Sequence, residues 1–260
     1  MIHEADDFDF ADFCLYTYVI VDDTLKRLTK TGRAHTTGPA PACSDSELCT
    51  LLLVGESKGW DVETGLLSNM RAYRDMFPRL PTQSRFNRRR RQLTDLLNAI
   101  RRTVLQAMEI AHDCQCIVDS LPVPVMNFHL VPGALSGYRG AEWIVNGAAY
   151  GKAVSKKLTY YGYKLHLLIT GNGLILDFEL TSANVCDLPA GSELLSGHHN
   201  LDVVADKAYI SQAHASELAA TNNIRLLTVP RRNQKVQLPP AVATLLNGFR
   251  VTIQAEVQIV

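Results

Sequence analysis

The sequence lacks any apolar run long enough to cross a bilayer. Runs such as Leu51-Leu52-Leu53-Val54 are far shorter than the roughly 20 residues that a membrane-spanning helix needs. The first seven residues contain Glu4, Asp6 and Asp7 and neither lysine nor arginine, so the basic start of a secretory signal peptide is missing too. These absences predict a cytoplasmic protein without a membrane partner.

A disulfide framework is also absent. The six cysteines are irregularly spaced, which is typical of the reducing cytoplasm rather than of a small secreted scaffold. Cys114 and Cys116 form a Cys-x-Cys pair, but the second Cys or His pair of a structural zinc site is missing. We therefore expect both to be thiols in or near a core. The hydrophobic fraction of 47% is ample for such a core.

A net charge is lacking as well, because 26 basic residues balance 26 acidic ones. The two signs are nevertheless segregated: residues 1–25 contain seven acidic residues and neither lysine nor arginine, whereas residues 71–102 are rich in arginine. Four consecutive arginines favour contact with phosphate, and a solvated helix face is the alternative. The side chains predicted to bind DNA here are Arg85, Arg88, Arg89, Arg90 and Arg91.

The first part of the chain predicts helices. Apolar residues recur at helical spacing over residues 8–30, and Ser44 with Glu47 has the pattern of a capped helix start. Gly59-Trp60-Asp61 ends that helix, and one arginine-rich helix is predicted from Ser84 to about residue 108. This arrangement is compatible with a helix-turn-helix DNA reader.

From Cys114 onward the pattern predicts strands and helices of an α/β layer structure. The predicted strands are 115–119, 163–170, 174–180, 201–205 and 224–229, and the predicted helices are 187–195, 211–220 and a last one from about 241. Gly171-Asn172-Gly173 predicts an antiparallel hairpin, whereas the later helical crossovers predict parallel pairing. In this mixed sheet the first and fourth strands can lie side by side.

Two of the predicted strands end on an aspartate. Ile117-Val118 leads into Asp119, and Val203-Val204-Ala205 leads into Asp206. A single aspartate at the end of a strand most often caps a local turn. Two of them on neighbouring strands indicate a shared metal site at the rim of the sheet.

Several stretches together resemble one protein family, the bacterial insertion-sequence transposases of the DDE type. They are Asp119-Ser120-Leu121-Pro122-Val123-Pro124-Val125, Tyr163-Lys164-Leu165-His166, Thr181-Ser182-Ala183-Asn184-Val185-Cys186-Asp187 and Ala205-Asp206-Lys207-Ala208-Tyr209-Ile210, with Phe77-Pro78-Arg79-Leu80-Pro81 and Phe86-Asn87-Arg88-Arg89-Arg90 upstream. Each motif alone is weak, but the ordered set is specific and covers roughly residues 40–255.

The resemblance implies an RNase H-like catalytic core, a mixed sheet flanked by helices. We accordingly divide the chain into an N-terminal helical segment and linker (residues 1–43), a helical, arginine-rich DNA-binding domain (44–110) and an RNase H-like catalytic domain (111–260). Members of this family bind double-stranded DNA at the element ends and at the target. They assemble into homo-oligomers when they hold two ends together.

The resemblance also implies a metal-dependent site. Such enzymes use three carboxylates to hold two Mg²⁺ or Mn²⁺ ions, which activate the attacking oxygen and stabilise the leaving oxygen of a phosphodiester. Asp119 would be the first carboxylate and Asp206 the second. Lys164, His166, Lys207 and Tyr209 would bind DNA or order the site. For His166 the alternative is a strand residue satisfied by a neighbour.

The third carboxylate does not follow the family pattern. Where a glutamate is expected, Arg250-Val251-Thr252-Ile253 is followed by Gln254, whose neutral amide would weaken ion binding. Glu256 is the nearest substitute, but two residues further along a regular helix it would point about 200° away. The sequence then ends at Val260, where the family pattern continues. We therefore expect a diverged or truncated copy.

Two functions from different classes fit these residues. The first is a transposase that performs metal-dependent cleavage and strand transfer at the ends of an insertion sequence. The alternative is a non-catalytic DNA-binding remnant or repressor of transposition. A related RNase H-like nuclease without a role in transposition ranks last, because the helical N-terminal part is more than such a nuclease needs.

Overall fold

The computed structural model describes residues 9–30, 41–108, 115–127, 141–153 and 157–228, together with 244 and 248. The chain divides into two compact units, Met1–Ile110 and Ala111–Val260. Cys114, Gln254, Glu256 and most of the helix predicted from about residue 241 lie outside the described residues.

The first unit is helical throughout its described parts. Its helices are α1 (Phe10–Lys30), α2 (Asp45–Ser57), α3 (Glu63–Met70) with a 3-10 turn at Arg71–Tyr73, α4 (Gln83–Gln92) and α5 (Thr94–Ala107). The predicted cap is confirmed: Glu47 N donates to Ser44 Oγ over 3.1 Å, and Ser44 N donates to Glu47 Oε2 over 2.5 Å.

The prediction of one arginine-rich helix from Ser84 to about residue 108 is wrong. The helix breaks at Leu93, whose backbone leaves the helical region (φ −99°, ψ 4°), so that α4 and α5 are separate helices. Phe86, Leu93, Leu96 and Ile100 are all buried in one core. Their spacings of seven, three and four residues preserve the helical period across the break. Periodicity alone therefore cannot reveal it.

One hydrophobic core unites the helices of this unit. Cys14 and Val21 of α1 pack in it together with Leu48 of α2, Met70 of α3 and Phe86 of α4. The N-terminal helix is thus part of the same packed unit as the arginine-rich helices. In the described parts of the chain, no helix combines the length and apolarity that crossing a bilayer requires.

The second unit is a mixed α/β structure. Its elements are β1 (Gln115–Asn127), α6 (Glu142–Val145), β2 (Ala149–Ala153), β3 (Leu158–Thr170), β4 (Ile175–Ser182), α7 (Asp187–Ser196), β5 (Asp202–Ala205), a 3-10 turn at Lys207–Tyr209, α8 (Gln212–Asn222) and β6 (Arg225–Thr228). The sequence patterns missed α6 and β2, which are short. The other predicted strands and the helices 187–195 and 211–220 are present.

The described strands form one mixed sheet in the order β2-β3-β1-β5-β6, with β4 also paired to β3. β3 runs antiparallel to β1, β2 and β4, whereas β5 runs parallel to both β1 and β6. This confirms the predicted mixed pairing. It also confirms that the first and fourth predicted strands, β1 and β5, lie side by side.

Strand β1 does not end at Asp119 as predicted but continues to Asn127. Beyond Val118 its ladder with β5 stops, while pairing with β3 goes on through Pro122 and Pro124. Proline lacks an N–H donor and is tolerated where one side of a strand has no partner to receive it. Opposite Pro124, a Cβ on Gly162 would lie 2.2 Å from Val123 O, so the close approach of the two strands requires glycine.

The two faces of the sheet carry different clusters. Cys116, Val118, Leu168, Val203 and Ala205 pack against Leu194 and Leu195 of α7 and Leu218 of α8. We call this the helix-covered face. Ile117, Leu167 and Ile169 form a second cluster, with Val204 packed against it. Because side chains alternate along a strand, they mark the opposite face.

Candidate active site

The two predicted metal-binding aspartates are brought together by strand register. Val118 of β1 is paired with Ala205 of β5, and Asp119 and Asp206 are the next residues on each chain. Adjacent strands lie about 4.8 Å apart. Asp206 keeps an extended backbone (φ −72°, ψ 169°), so the alternation continues through it. Both aspartates therefore lie on the face opposite α7 and α8.

The two carboxylates are held in the same manner. Asp119 Oδ1 accepts a hydrogen bond from Ser120 N over 2.8 Å, and Asp206 Oδ1 accepts one from Lys207 N over 2.5 Å. Each bond uses the backbone N–H of the next residue, which fixes the carboxylate against its own strand. Lys207 itself is exposed beside Asp206. Its predicted role in DNA binding stays a prediction.

Lys164 lies on the other side of the sheet. By strand alternation it shares the helix-covered face with Leu168 and His166. Its Nζ donates to Val185 O over 2.8 Å and to Asp187 Oδ1 over 2.9 Å. The Asp187 carboxylate also accepts a hydrogen bond from Ser120 Oγ over 3.2 Å. The ammonium group is thus engaged within the protein, which fits an ordering role better than a DNA contact.

His166 is fully buried on this face. Its Nε2 lies 2.9 Å from Thr181 Oγ1, while Nδ1 has no hydrogen-bond partner in the described part of the chain. Burial lowers the pKa of His166 below its ordinary value; the Asp187 carboxylate opposes this shift and Lys164 adds to it. The ring is therefore neutral at pH 7 and buried. The contact with Thr181 fits the alternative of a strand residue that bonds a neighbour, with one of the two ring nitrogens satisfied.

Tyr209 lies in the 3-10 turn that follows Asp206. It is buried in the core beneath the helix-covered face, and its hydroxyl has no partner of bonding geometry among the described residues. Burial raises the pKa of Tyr209 far above its usual range. The negative charges of Asp187, Asp119 and Asp206 raise it further, and the nearby Ser120 hydroxyl opposes them. The phenol is thus a neutral, buried group.

Sequence reasoning missed the role of Asp187 and Ser120. Both lie inside the motifs that carry the family resemblance. The sequence predicts Asp187 only as the start of a helix, and a helix does begin there. A carboxylate in the first turn of a helix is favoured by the helix dipole, so this position alone has a local explanation. Its partners Lys164 and Ser120 are 23 and 67 residues away. Only the paired strands reveal them.

Divalent metal ions fit the residues that are present. Asp119 and Asp206 offer hard, anionic oxygen donors on neighbouring strands and on one face, which is the chemistry that Mg²⁺ or Mn²⁺ prefers. Within the described residues, no group of three or more His, Cys, Asp or Glu side chains is close enough to hold an ion. The pair would thus supply two ligands, and Gln254 and Glu256 lie outside the described residues.

The arginines of α4 fall into two groups. Arg89 donates to Cys43 O and pairs with Asp45, each over 2.5 Å, and Arg90 pairs with Glu63 over 3.1 Å. These two cations are neutralised within the helical unit. Arg85, Arg88 and Arg91 are exposed. The phosphate contacts predicted for all five arginines stay a prediction, and these three side chains are the more accessible ones.

Comparison with known proteins gives a family match within the second unit. Residues 141–258 match the family described as Transposase DDE domain. The match includes Asp206 and begins after Asp119. No curated protein and no solved structure matches the chain significantly.

Proposed function

We propose that this chain, whose residues 141–258 match the family described as Transposase DDE domain, cuts and rejoins DNA at the ends of an insertion sequence with the help of divalent metal ions. The observation that carries this proposal is the parallel register of β1 and β5. It sets Asp119 and Asp206 directly after the paired residues Val118 and Ala205. Asp119 lies outside the matched residues, so its place beside Asp206 is an independent argument.

Asp119 and Asp206 are the residues that would hold the metal ions. Two Mg²⁺ or Mn²⁺ ions would supply charge neutralisation at the scissile phosphate and would activate the attacking oxygen. The chain itself contributes the position of the carboxylates, which Ser120 N and Lys207 N fix against their strands. Lys207 is exposed beside this site and is placed to contact a DNA phosphate.

The reaction we propose has two displacements at phosphorus. Water first forms a bond to the phosphorus at the element end, and the bond to the 3′ oxygen breaks. The freed 3′ hydroxyl then attacks the phosphorus of a phosphodiester in the target DNA and gives up its proton. A bond from the element's 3′ oxygen to this phosphorus forms while the target's own bond from phosphorus to its 3′ oxygen breaks, so the strands are joined and the target's 3′ hydroxyl is released. Gln254 and Glu256 are the candidates for a third ligand.

The partner is double-stranded DNA, both element ends and target. We propose that the helical unit holds the duplex through the exposed arginines of α4, and that the protein acts in the cytoplasm as a homo-oligomer when it binds DNA. The two ends of the element must be held together while they are joined to the target DNA. A single active site per chain therefore favours assembly of at least two chains.

A second candidate is a non-catalytic DNA-binding remnant that represses transposition. The observation that favours it is Gln254, which stands where the family pattern has a glutamate. A neutral amide gives one oxygen to a cation but no negative charge. Both candidates require DNA binding, and they differ in cleavage.

Cleavage of end-containing DNA separates the two candidates. The unmodified chain, Gln254→Glu and Asp206→Asn would be incubated with labelled duplex in Mg²⁺ or Mn²⁺. Cutting by the unmodified chain, abolished by Asp206→Asn with DNA binding intact, would support the enzyme. Cutting by Gln254→Glu alone would identify an intact fold with a weakened ligand set. If all three bind and none cuts, the remnant is the better description.

A further inference from the structure

Helix α4 presents one polar face away from the core. Phe86 is fully buried, and Arg89 and Arg90 are tied to Asp45 and Glu63. At 100° per residue, the opposite side of the helix carries polar and basic side chains. They line an open groove of about 500 Å³ formed by Glu63, Gln83, Ser84, Asn87, Arg88 and Arg91.

The charge of this groove and the size of helix α4 both suit duplex DNA. Helix α4 contains no acidic residue. The Glu63 carboxylate in the groove wall accepts a hydrogen bond from Asn87 Nδ2 over 2.7 Å and forms an ion pair with Arg90 Nη2 at 3.1 Å. An α-helix with its side chains is about 10 to 12 Å across, which matches the major groove of B-DNA, about 12 Å wide, and the ten residues of α4 give it a length of about 15 Å along that groove.

Asn87 differs from its neighbours because its orientation is fixed. Glu63 Oε1 can only accept a hydrogen bond, so it selects the amide nitrogen of Asn87 as its partner. A primary amide has two N–H donors and one oxygen acceptor. One N–H is used by Glu63, and one N–H and the oxygen remain. That remaining pair matches N7 and the N6 amino group of adenine in the major groove.

We propose that Asn87, oriented by Glu63, is a specificity-determining residue that reads one adenine in the major groove of duplex DNA. Arg88 and Arg91 flank it and hold the adjacent phosphates. The inference rests on the proposed function, since it takes DNA as the partner. It goes beyond that function by assigning base readout to a side chain next to the arginines rather than to the arginines themselves.

The test begins with selection of preferred duplexes from a random library by the full chain at a fixed salt concentration. The dissociation constant is then measured for the selected duplex, for duplexes with single base-pair changes, and for duplexes with 7-deazaadenine at each adenine. This analogue lacks N7 and keeps the amino group. At one position it should weaken binding by the unmodified chain about tenfold to a hundredfold.

Variants assign the effect to Asn87. Asn87→Ala should lose the preference at that position and respond equally to adenine and 7-deazaadenine. Arg85→Gln is the matched control: it lies on the same helix and is exposed, so it should weaken binding to all duplexes and leave the preference unchanged. Thermal melting of each variant reports whether it is folded.

Three results would overturn the inference. The first is a selected site with no position sensitive to 7-deazaadenine, a result that needs no variant. The second is an Asn87→Ala protein that keeps the preference. The third is tighter binding to RNA than to duplex DNA. A chain that binds no duplex even at low salt would instead contradict the proposed function itself.

Discussion

At the scale of single residues, the Tyr209 hydroxyl is the most unusual group. A buried polar atom without a partner costs about 1 to 3 kcal/mol, and three carboxylates raise the pKa of this phenol beyond what burial does. Tyr209→Phe removes the atom and keeps the ring. We expect the free energy of unfolding of this variant to equal that of the unmodified chain or to exceed it by about 1 kcal/mol.

Tyr163→Phe is the matched control for this prediction. The Tyr163 hydroxyl donates to Trp143 O over 2.7 Å, so its removal should destabilise the fold by about 1 kcal/mol. Urea unfolding of both variants gives the comparison. A Tyr209→Phe protein that loses more stability than Tyr163→Phe would show that the Tyr209 hydroxyl has a partner after all.

His166 predicts a dependence of stability on pH. Burial lowers its pKa in the folded state, so below about pH 6.5 the unfolded chain binds a proton that the folded chain does not. Stability is therefore fully present above that pH and falls as the pH is lowered toward the folded-state pKa. The slope is at most about 1.4 kcal/mol per pH unit. His166→Gln, which can still bond Thr181, should lack this component in chemical unfolding between pH 5 and 7.

At the scale of elements, helix α7 packs tightly on the 3-10 turn that follows Asp206. A Cβ at Gly191 would lie 2.3 Å from Cε1 of Tyr209, so the ring of the turn residue fills the space that this glycine leaves. Gly191→Ala should destabilise the second unit by about 1 to 3 kcal/mol. Gly197 follows the same helix and has nothing within 4 Å of its Cβ position.

Gly197→Ala is accordingly the control for the α7 contact. Its backbone is right-handed helical (φ −80°, ψ −4°), which alanine adopts without strain, and we expect little change in thermal stability. Equal destabilisation of both variants would contradict the idea that contact with Tyr209 is what requires Gly191.

The elements also show which structural features the sequence patterns could predict. The capping residues Ser44 and Glu47 and the glycine hairpin were predictable, because each depends on local spacing. That β1 and β5 can be neighbours followed from the alternation of strands and helices, whereas β2 and the full strand order were not predicted. The length of β1 was not, since Pro122 and Pro124 argue against a strand until the missing partner on one side is known. The Lys164–Asp187 pair was also out of reach, because its two motifs meet only after β3, β4 and α7 pack.

At the scale of the whole molecule, a chain of zero net charge still presents a concentrated cationic surface. If Arg85, Arg88 and Arg91 contact phosphates, replacing all three with Gln should weaken binding to every duplex. The slope of log affinity against log salt should flatten by about 0.9 per lost contact. Fluorescence anisotropy over a salt series measures both quantities.

Arg89→Ala provides the contrast within the same arginine run. Its guanidinium is tied to Asp45 and Cys43 O, so we expect a loss of stability of about 1 to 2 kcal/mol and no change in the salt slope of the folded protein. An unchanged salt slope in the triple variant would show that the exposed arginines do not contact phosphates.

The shared register of β1 and β5 has a consequence for tolerance to mutation. Side chains alternate with a period of two, so adding or deleting one residue within either strand would move its aspartate to the other face. The same shift would turn Val118 or Ala205 out of the core. The geometry of the proposed metal site and the packing of the core are thus lost together. Single-codon insertions in these strands should be far less tolerated than substitutions, and a genetic screen that counts surviving insertions would map the strands without any structural measurement.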